Sequence, residues 1–379
     1  MATNSVERRP IIALRMAFPV GEGALLTYNR IYDRPPVGGQ RMERKAGWKV
    51  PSNEAERARR IALDAGVLDG GFHPIHQQGM VIWPLNEMVN VLFGEIIQSN
   101  FEVRIELNPL QRLAVELPDV ELPTKWELLD DLVLLPSDSF PNGNDDTWKA
   151  VCRALKAERV GRQAEVDSGP MRQSHIEILL GSHGWVNHKE NGIRYVFDAS
   201  KVMFSSGNIT ERKRMGNLDA TGDVVVDLFA GIGYYTLPIL VNAGALLVHA
   251  CEMNPDSIDG LTKGLVANMM MPRCHIHQGD NRQTALKLAG IADRVLLGLL
   301  PSSTYAWELA FNCLKEEGGV IHVHMNVEQQ DLDNGTFVKE TLKSFEEMGS
   351  EVKLLHLEDV KSYAPRVRHM VLDVEVRKL

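Results

Sequence analysis

Residues 224–238, VVVDLFAGIGYYTLP, constrain this chain more than any other stretch. A short run of β-branched residues enters a turn with two glycines one residue apart, then leaves it on an apolar, helix-like segment. A strand that turns through Gly-x-Gly onto a helix is a βα unit, and such units assemble into a parallel sheet covered on both faces. The alternation then repeats. LLVHACE (246–252), HIHQGD (275–280), DRVLLGLLP (293–301) and GVIHVHMNV (319–327) read as strands. Between them YYTLPILVNAG, PDSIDGLTKGLVANM and WELAFNCLKEEG read as helices, as does KETLKSFEEMG after the last. VKLLHLEDV and HMVLDVEVRKL have the alternation of a closing antiparallel pair. The expected fold over 219–379 is a Rossmann-like, doubly wound α/β sheet with a closing antiparallel hairpin.

The region before it differs in texture. A helix is expected at 53–66, a second, buried one near 85–98 (LNEMVNVLFGEIIQ), a strand near 131–135 and a helix at 146–158. Asn191-Gly192 inside WVNHKENGIRYVFDASKVMF is a hairpin signal. Three domains are therefore expected: an N-terminal basic α+β region at 1–110 suited to RNA, an α+β middle domain at 111–218, and the sheet domain at 219–379. Residues 1–66 carry twelve Lys/Arg against seven Asp/Glu, a net of +5 in a chain whose net charge is −9. Binding to a polyanion follows local charge, so the acidic balance does not exclude a nucleic-acid partner.

No apolar run approaches the roughly 20 residues of a membrane helix, and no secretory signal is expected in the first residues, which have no long apolar stretch before a small-residue cleavage site. Cys152, Cys251, Cys274 and Cys313 have no C-x-x-C spacing, and the twelve histidines have no metal-ligand spacing. Reduced thiols in a cytoplasmic protein without metal are expected.

In a doubly wound sheet, ligands sit at the carboxyl ends of the strands. After the first strand come Asp227, Gly231 and Gly233. Glu252, at the end of the second, is placed for ribose hydroxyls. Asp280 and Asn281, at the end of the third, are placed for an adenine amino group. After the fourth comes GLLPSS, whose Leu299, Pro301, Ser302 and Ser303 would face the substrate. A dinucleotide fingerprint needs a third glycine where Thr236 stands, so this loop fits S-adenosylmethionine better than NAD. Enzymes that methylate base nitrogens often carry Asn/Asp-x-Pro-aromatic after the fourth strand; here Leu299 and Ser302 occupy those places.

MFSSGNITERKR (203–214), VVVDLFAGIGYYTLP, HACEMNPDSIDGL, RCHIHQGDNR, ADRVLLGLLPSS and GGVIHVHMNV occur in that order. Together they closely resemble the tRNA wybutosine-synthesising aminocarboxypropyltransferases, relatives of the archaeal and eukaryotic tRNA guanine-37 N1-methyltransferases. The resemblance covers about residues 120–379 and is loose over 1–110. It implies transfer of the 3-amino-3-carboxypropyl group of S-adenosylmethionine to C7 of 4-demethylwyosine at position 37 of tRNA(Phe). It also implies cofactor contacts from Ser205 and Arg212, with Glu252 at the ribose and Asp280–Asn281 at the adenine. Three positions depart from the pattern: Arg212 stands for Lys, Leu296 for Asn and Tyr235 for Phe. Arg and Lys keep the same charge with different geometry. Asp227 is the candidate to remove the ring proton, with organisation of the loop as its competing role. Arg214, Arg366 and Arg368 are candidates for RNA contact at the anticodon loop, and the expected state is a monomer. The alternative reading is a guanine-37 N1-methyltransferase on the same scaffold.

Overall fold

The computed structural model describes residues 41–104, 107–163 and 174–379. The basic residues expected to contribute RNA contacts before residue 41 lie outside them. The chain forms two compact units, one ending at Glu106 and one beginning at Leu107.

In the first unit, four antiparallel strands lie in the order Ile75–Gln77, Met80–Pro84, Met42–Pro51, Glu95–Glu102, with one α-helix at Ala55–Asp64. The helix expected near 53–66 is present. The one expected over 85–98 is not: this stretch is a loop running into the strand Glu95–Glu102. The reason is a period of two. Val89, Val91 and Phe93 pack against the core around Trp48, while Met88 and Leu92 are exposed. Gly94 then sits at φ 72, with no room for a Cβ beside the Lys49 carbonyl. Ile96 and Ile97 pair with Trp48 and Gly47.

The second unit opens with helices Pro109–Glu116 and Asp145–Leu155 on a four-stranded sheet of Glu127–Leu129, Leu132–Leu135, Arg159–Arg162 and Glu177–Leu180. A hairpin follows, Trp185–Glu190 with Ile193–Asp198. Its turn residues Asn191 and Gly192 both have positive φ, as a two-residue primed turn requires. Helix α1 (Ile209–Gly216) leads into the large sheet.

That sheet has seven strands: β1 (Val224–Asp227), β2 (Leu247–Glu252), β3 (Cys274–Gln278), β4 (Arg294–Leu297), β5 (Gly319–Glu328), β6 (Ser350–Ala364) and β7 (Val367–Lys378). Their order is β3-β2-β1-β4-β5-β7-β6, parallel from β3 through β5, with β7 antiparallel to both β5 and β6. This is the doubly wound sheet with its closing hairpin. The connecting helices include α2 (Thr236–Val241), α3 (Pro255–Ala267), α4 (Asn281–Thr284), α5 (Trp307–Cys313) and, after a short helix at Gln329–Asp333, α6 (Thr336–Glu346).

The central strands are apolar on both faces because both are covered. Val225 packs into one core and Val226 into the other; Leu296 faces the first, and Val295 and Leu297 the second. The first core also contains Leu129, Leu132, Tyr195, Phe197 and Phe204. Packing therefore runs unbroken across residue 218, where the sequence suggested a domain boundary.

Candidate active site

The carboxyl ends of β1, β2 and β3 are stitched together by their own polar groups. Asp227 is fully buried; its Oδ1 accepts from the Phe229 N–H at 3.1 Å and its Oδ2 from the Thr236 hydroxyl at 2.7 Å. Burial pushes its carboxyl pKa up to about 6. With both oxygens engaged and no exposure, Asp227 braces the turn and is not placed to take a proton from a substrate. Gly231 and Gly233 have φ of 55° and 93°. A Cβ on Gly233 would lie 2.8 Å from Leu237 Cγ and 2.9 Å from Leu261 Cδ1, so this glycine lets the turn sit on the core.

Glu252 closes β2 onto this loop. Its Oε2 accepts from Gly231 N–H at 2.7 Å, and its Oε1 from Met253 at 2.9 Å and Asn254 at 2.7 Å. Burial raises its pKa, against the three backbone donors. A carboxylate has about four acceptor positions, so one on Oε2 remains for a hydroxyl. The residues present thus fit a ribose at this point.

Asp280 and Asn281 also hold the local structure at the end of β3. Asp280 caps α4, accepting from Arg282 N–H at 2.9 Å, and pairs with the Arg282 guanidinium. Asn281 is buried and donates through Nδ2 to the Leu228 carbonyl at 2.9 Å. Its amide nitrogen ties β3 to the turn after β1.

The SSGN segment meets the glycine loop from the other side. The Tyr234 hydroxyl donates to the Met203 carbonyl. Ser205 Oγ accepts from Lys361 Nζ at 3.1 Å, and Ser205 lines a cavity of about 290 Å³. Arg212 is not a surface ligand: it is 1 % exposed, and its guanidinium donates twice to Glu190 and once, at 2.8 Å, to the Ser205 carbonyl. It also lies 4.5 Å over the Phe204 ring. Its contribution is to fix the Ser205 backbone.

GLLPSS follows β4 through a cis Leu300–Pro301 bond. Leu299 and Ser302 are half-buried and Pro301 is exposed, whereas Ser303 is fully buried. Its hydroxyl accepts from Trp307 Nε1 at 3.2 Å and faces the His324 carbonyl at 3.4 Å. Ser303 therefore anchors the loop and does not face substrate.

The arginines divide. Arg214 points inward, bridging Glu211 and Asp373 with contacts of 2.6–3.2 Å. This removes it from the set of RNA contacts. Burial opposes ionisation of Asp373, but the hydrogen bonds of His322 and Arg214 override it and hold its pKa well below the usual range. Arg368 pairs with Asp359 on the neighbouring strand, and Arg366 is exposed at the β6–β7 turn with φ 63.

Glu190, Lys361 and Asp373 were not singled out from the sequence, and Thr236 was singled out only as the place of a missing glycine. Their partners lie between 9 and 159 residues away, with no local spacing to announce them. The four cysteines are free and buried. Among the described residues, no group of three or more His, Cys, Asp or Glu is placed to hold a metal. No described helix is long and apolar enough to cross a membrane.

Residues 186–355 match the TRM5/TYW2 methyltransferase domain family and residues 111–184 the TYW2 N-terminal domain family. "tRNA wybutosine-synthesizing protein 2/3/4" of Arabidopsis thaliana is 47% identical over 305 residues, which are 75% of this chain and 30% of that much longer protein. The Oryza sativa counterpart is likewise covered over only 25% of its length. "tRNA wybutosine-synthesizing protein 2 homolog" of Bos taurus is 37% identical over 71% of this chain and 78% of its own length. The crystal structure of P. horikoshii TYW2 in complex with MeSAdo superposes with a TM-score of 0.61 at 30% identity, covering 72% of this chain and 100% of that one. This chain belongs to the tRNA wybutosine-synthesizing protein 2 family.

Proposed function

We propose that this chain transfers the 3-amino-3-carboxypropyl group of S-adenosylmethionine to C7 of 4-demethylwyosine at position 37 of tRNA(Phe), in the cytoplasm. The observation that carries this reading is the junction of two segments far apart in sequence: the Tyr234 hydroxyl of the glycine loop on the Met203 carbonyl beside SSGN. A family relative, P. horikoshii TYW2, was crystallised with MeSAdo, and the Gly231–Glu252 arrangement suits the same adenosine framework here.

When bound, S-adenosylmethionine supplies a sulfonium that activates each carbon attached to the sulfur. The chain's task is then orientation, since holding reacting atoms in near-attack geometry accounts for much of such a barrier. Glu252 accepts a ribose hydroxyl. Asp227 and Thr236 keep the turn rigid, and Arg212 holds the Ser205 backbone beside it. Leu299 stands where enzymes that methylate base nitrogens often place an amide or carboxylate, so the loop lacks the group that would hold a base for that chemistry. The anticodon loop of the tRNA is the partner surface in this reading, with the exposed Arg366 as a phosphate contact.

Cofactor carrying label only in the methyl group tests the assignment. Incubated with the chain and hypomodified tRNA, it leaves the tRNA unlabelled if the propyl arm is transferred. Label entering the tRNA would establish the methyltransferase alternative.

A further inference from the structure

On β5, His322, His324 and Asn326 alternate along the strand and so share one face of the sheet. The face continues across β7, where Asn326 stands opposite His369, and onto β6, where His369 stands opposite Lys361. One end of this row is tied to SSGN, since Lys361 Nζ donates to Ser205 Oγ at 3.1 Å. The other is tied to the loop after β4, because the Asn326 N–H donates to the Pro301 carbonyl at 2.8 Å. The glycine loop touches the same two segments. Its Tyr234 hydroxyl is on the Met203 carbonyl, and its Tyr235 ring lies where a Cβ on Gly298 would be 3.0 Å from Cε2.

Six buried side-chain polar atoms among the described residues lack a hydrogen-bond partner, and four of them belong to this face: both amide atoms of Asn326, His369 Nδ1 and His324 Nε2. His324 is nonetheless held. Its Nε2 looks to Glu211 Oε1 at 4.0 Å, and its Nδ1 meets His369 Nε2 at 3.2 Å and the Tyr235 hydroxyl at 3.5 Å. His369 is fully buried and anchored through that one nitrogen. Burial, and then the charge of Lys361, pull its pKa down to about 4, so the ring is neutral near pH 7. Asn326 is half-buried, with other atoms at the surface and its amide beneath them. A buried amide without partners costs free energy, and such groups are rare in native proteins. Here they gather where β5 ends, at the ligand-binding edge of a doubly wound sheet.

A primary amide beside a neutral imidazole nitrogen offers donors and acceptors together, as the edge of a nucleobase does with its carbonyl and N–H groups. We infer that Asn326 and His369 take the hydrogen-bonding edge of the tRNA base at position 37, Asn326 through both amide atoms and His369 through Nδ1. This rests on the tRNA assignment above and deepens it, because it names the groups that orient the base against the cofactor. It also accounts for the loop after β4. Where base-nitrogen methyltransferases often carry Asn or Asp before the proline, this chain has Leu299. Asn326 brings an amide to the same proline from the neighbouring strand, through its N–H on the Pro301 carbonyl. An amide arriving from β5 instead of β4 approaches the base from a different side, and so presents a different ring atom to the sulfonium.

Binding of two tRNAs to the full chain tests this: phenylalanine tRNA bearing 4-demethylwyosine, and the same tRNA with no base at position 37. Asn326→Leu keeps a similar shape and removes the amide. Its affinity for the first tRNA is expected to fall about tenfold, the scale of hydrogen bonds lost from a base left unpaired. Its affinity for the abasic tRNA, and its calorimetric binding of S-adenosylmethionine, are expected to stay unchanged. Because the amide has no partner in the free chain, the urea midpoint of Asn326→Leu should hold or rise, whereas loss of a structural amide would lower it. His369→Phe should weaken the first tRNA in the same direction. Unchanged affinity of Asn326→Leu for the base-bearing tRNA overturns the inference, and so does an equal loss for both tRNAs. Should Asn326→Leu fail to fold, Asn326→Ser decides by the same comparison. A wild-type chain that binds the two tRNAs equally overturns the assignment of position 37 itself, a result separate from failure of the variants.

Discussion

The guanidinium of Arg212 is locked to the carboxylate of Glu190, Nε to Oε1 at 2.6 Å and Nη2 to Oε2 at 2.7 Å, with both side chains almost wholly out of water. Breaking a buried pair strands its other member, which costs about 3–5 kcal/mol. Arg212→Ala and Glu190→Ala are each expected to lower unfolding stability on that scale in urea titration. Arg212→Lys keeps the charge but loses the fork, and should fall between these variants and the wild type. A loss below about 1 kcal/mol in the alanine variants would place the pair outside the fold's essential contacts.

Asp227 gives a pH signature. Its folded pKa of about 6 lies above its ordinary value of 3.8, so the folded state holds this proton more tightly than the unfolded one. The resulting stability is present below about pH 4 and is lost as pH rises through 6, a change of about 3 kcal/mol at 1.36 kcal/mol per unit. Asp227→Asn cannot titrate. Measured by urea unfolding, its stability relative to wild type should improve by that order between pH 4 and pH 7. A pH-independent difference contradicts the burial argument.

The two glycines of the loop should not be equivalent. Gly233→Ala drives a Cβ into Leu237 and Leu261 at a φ of 93°, and should cost about 2–4 kcal/mol through overpacking and backbone strain. Gly231→Ala meets only the Tyr234 ring, at 2.7 Å and φ 55. It should cost less in stability and act mainly on cofactor affinity. Unfolding curves and calorimetry of the two variants check this ordering.

At the β6–β7 turn, replacing Arg366 and Arg368 together should weaken tRNA binding and flatten its dependence on salt. The slope of log K against log salt should fall by about 1–2, according to how many phosphates are released. Arg368 also holds Asp359, so the single Arg366→Ala variant should account for most of the change. An unchanged slope removes this turn from the tRNA-binding surface.

Strand positions and strand ends in the large sheet were legible because their signals are local: β-branched triplets such as Val224–Val226, the Gly-x-Gly turn, and an acidic residue after β2. Even so, a local signal misled at 85–98, where Val89, Val91 and Phe93 alternate and the true period is two. Side-chain roles were less legible. Whether Arg212 and Arg214 face a ligand or the interior depends on Glu190 and Asp373, which tertiary packing supplies from elsewhere in the chain. Ser303 is a similar case, since only the position of Trp307 shows that its hydroxyl is engaged. The pairing of Lys361 with Ser205 spans 156 residues, and no spacing rule reaches that far.

The most direct test of the account is the mass of the tRNA product. Phenylalanine tRNA bearing 4-demethylwyosine, incubated with the wild-type chain and S-adenosylmethionine, is predicted to gain about 101 Da at position 37, the mass of the oriented propyl arm. A gain of about 14 Da, one methyl group delivered by the same sulfonium in the other orientation, would contradict it.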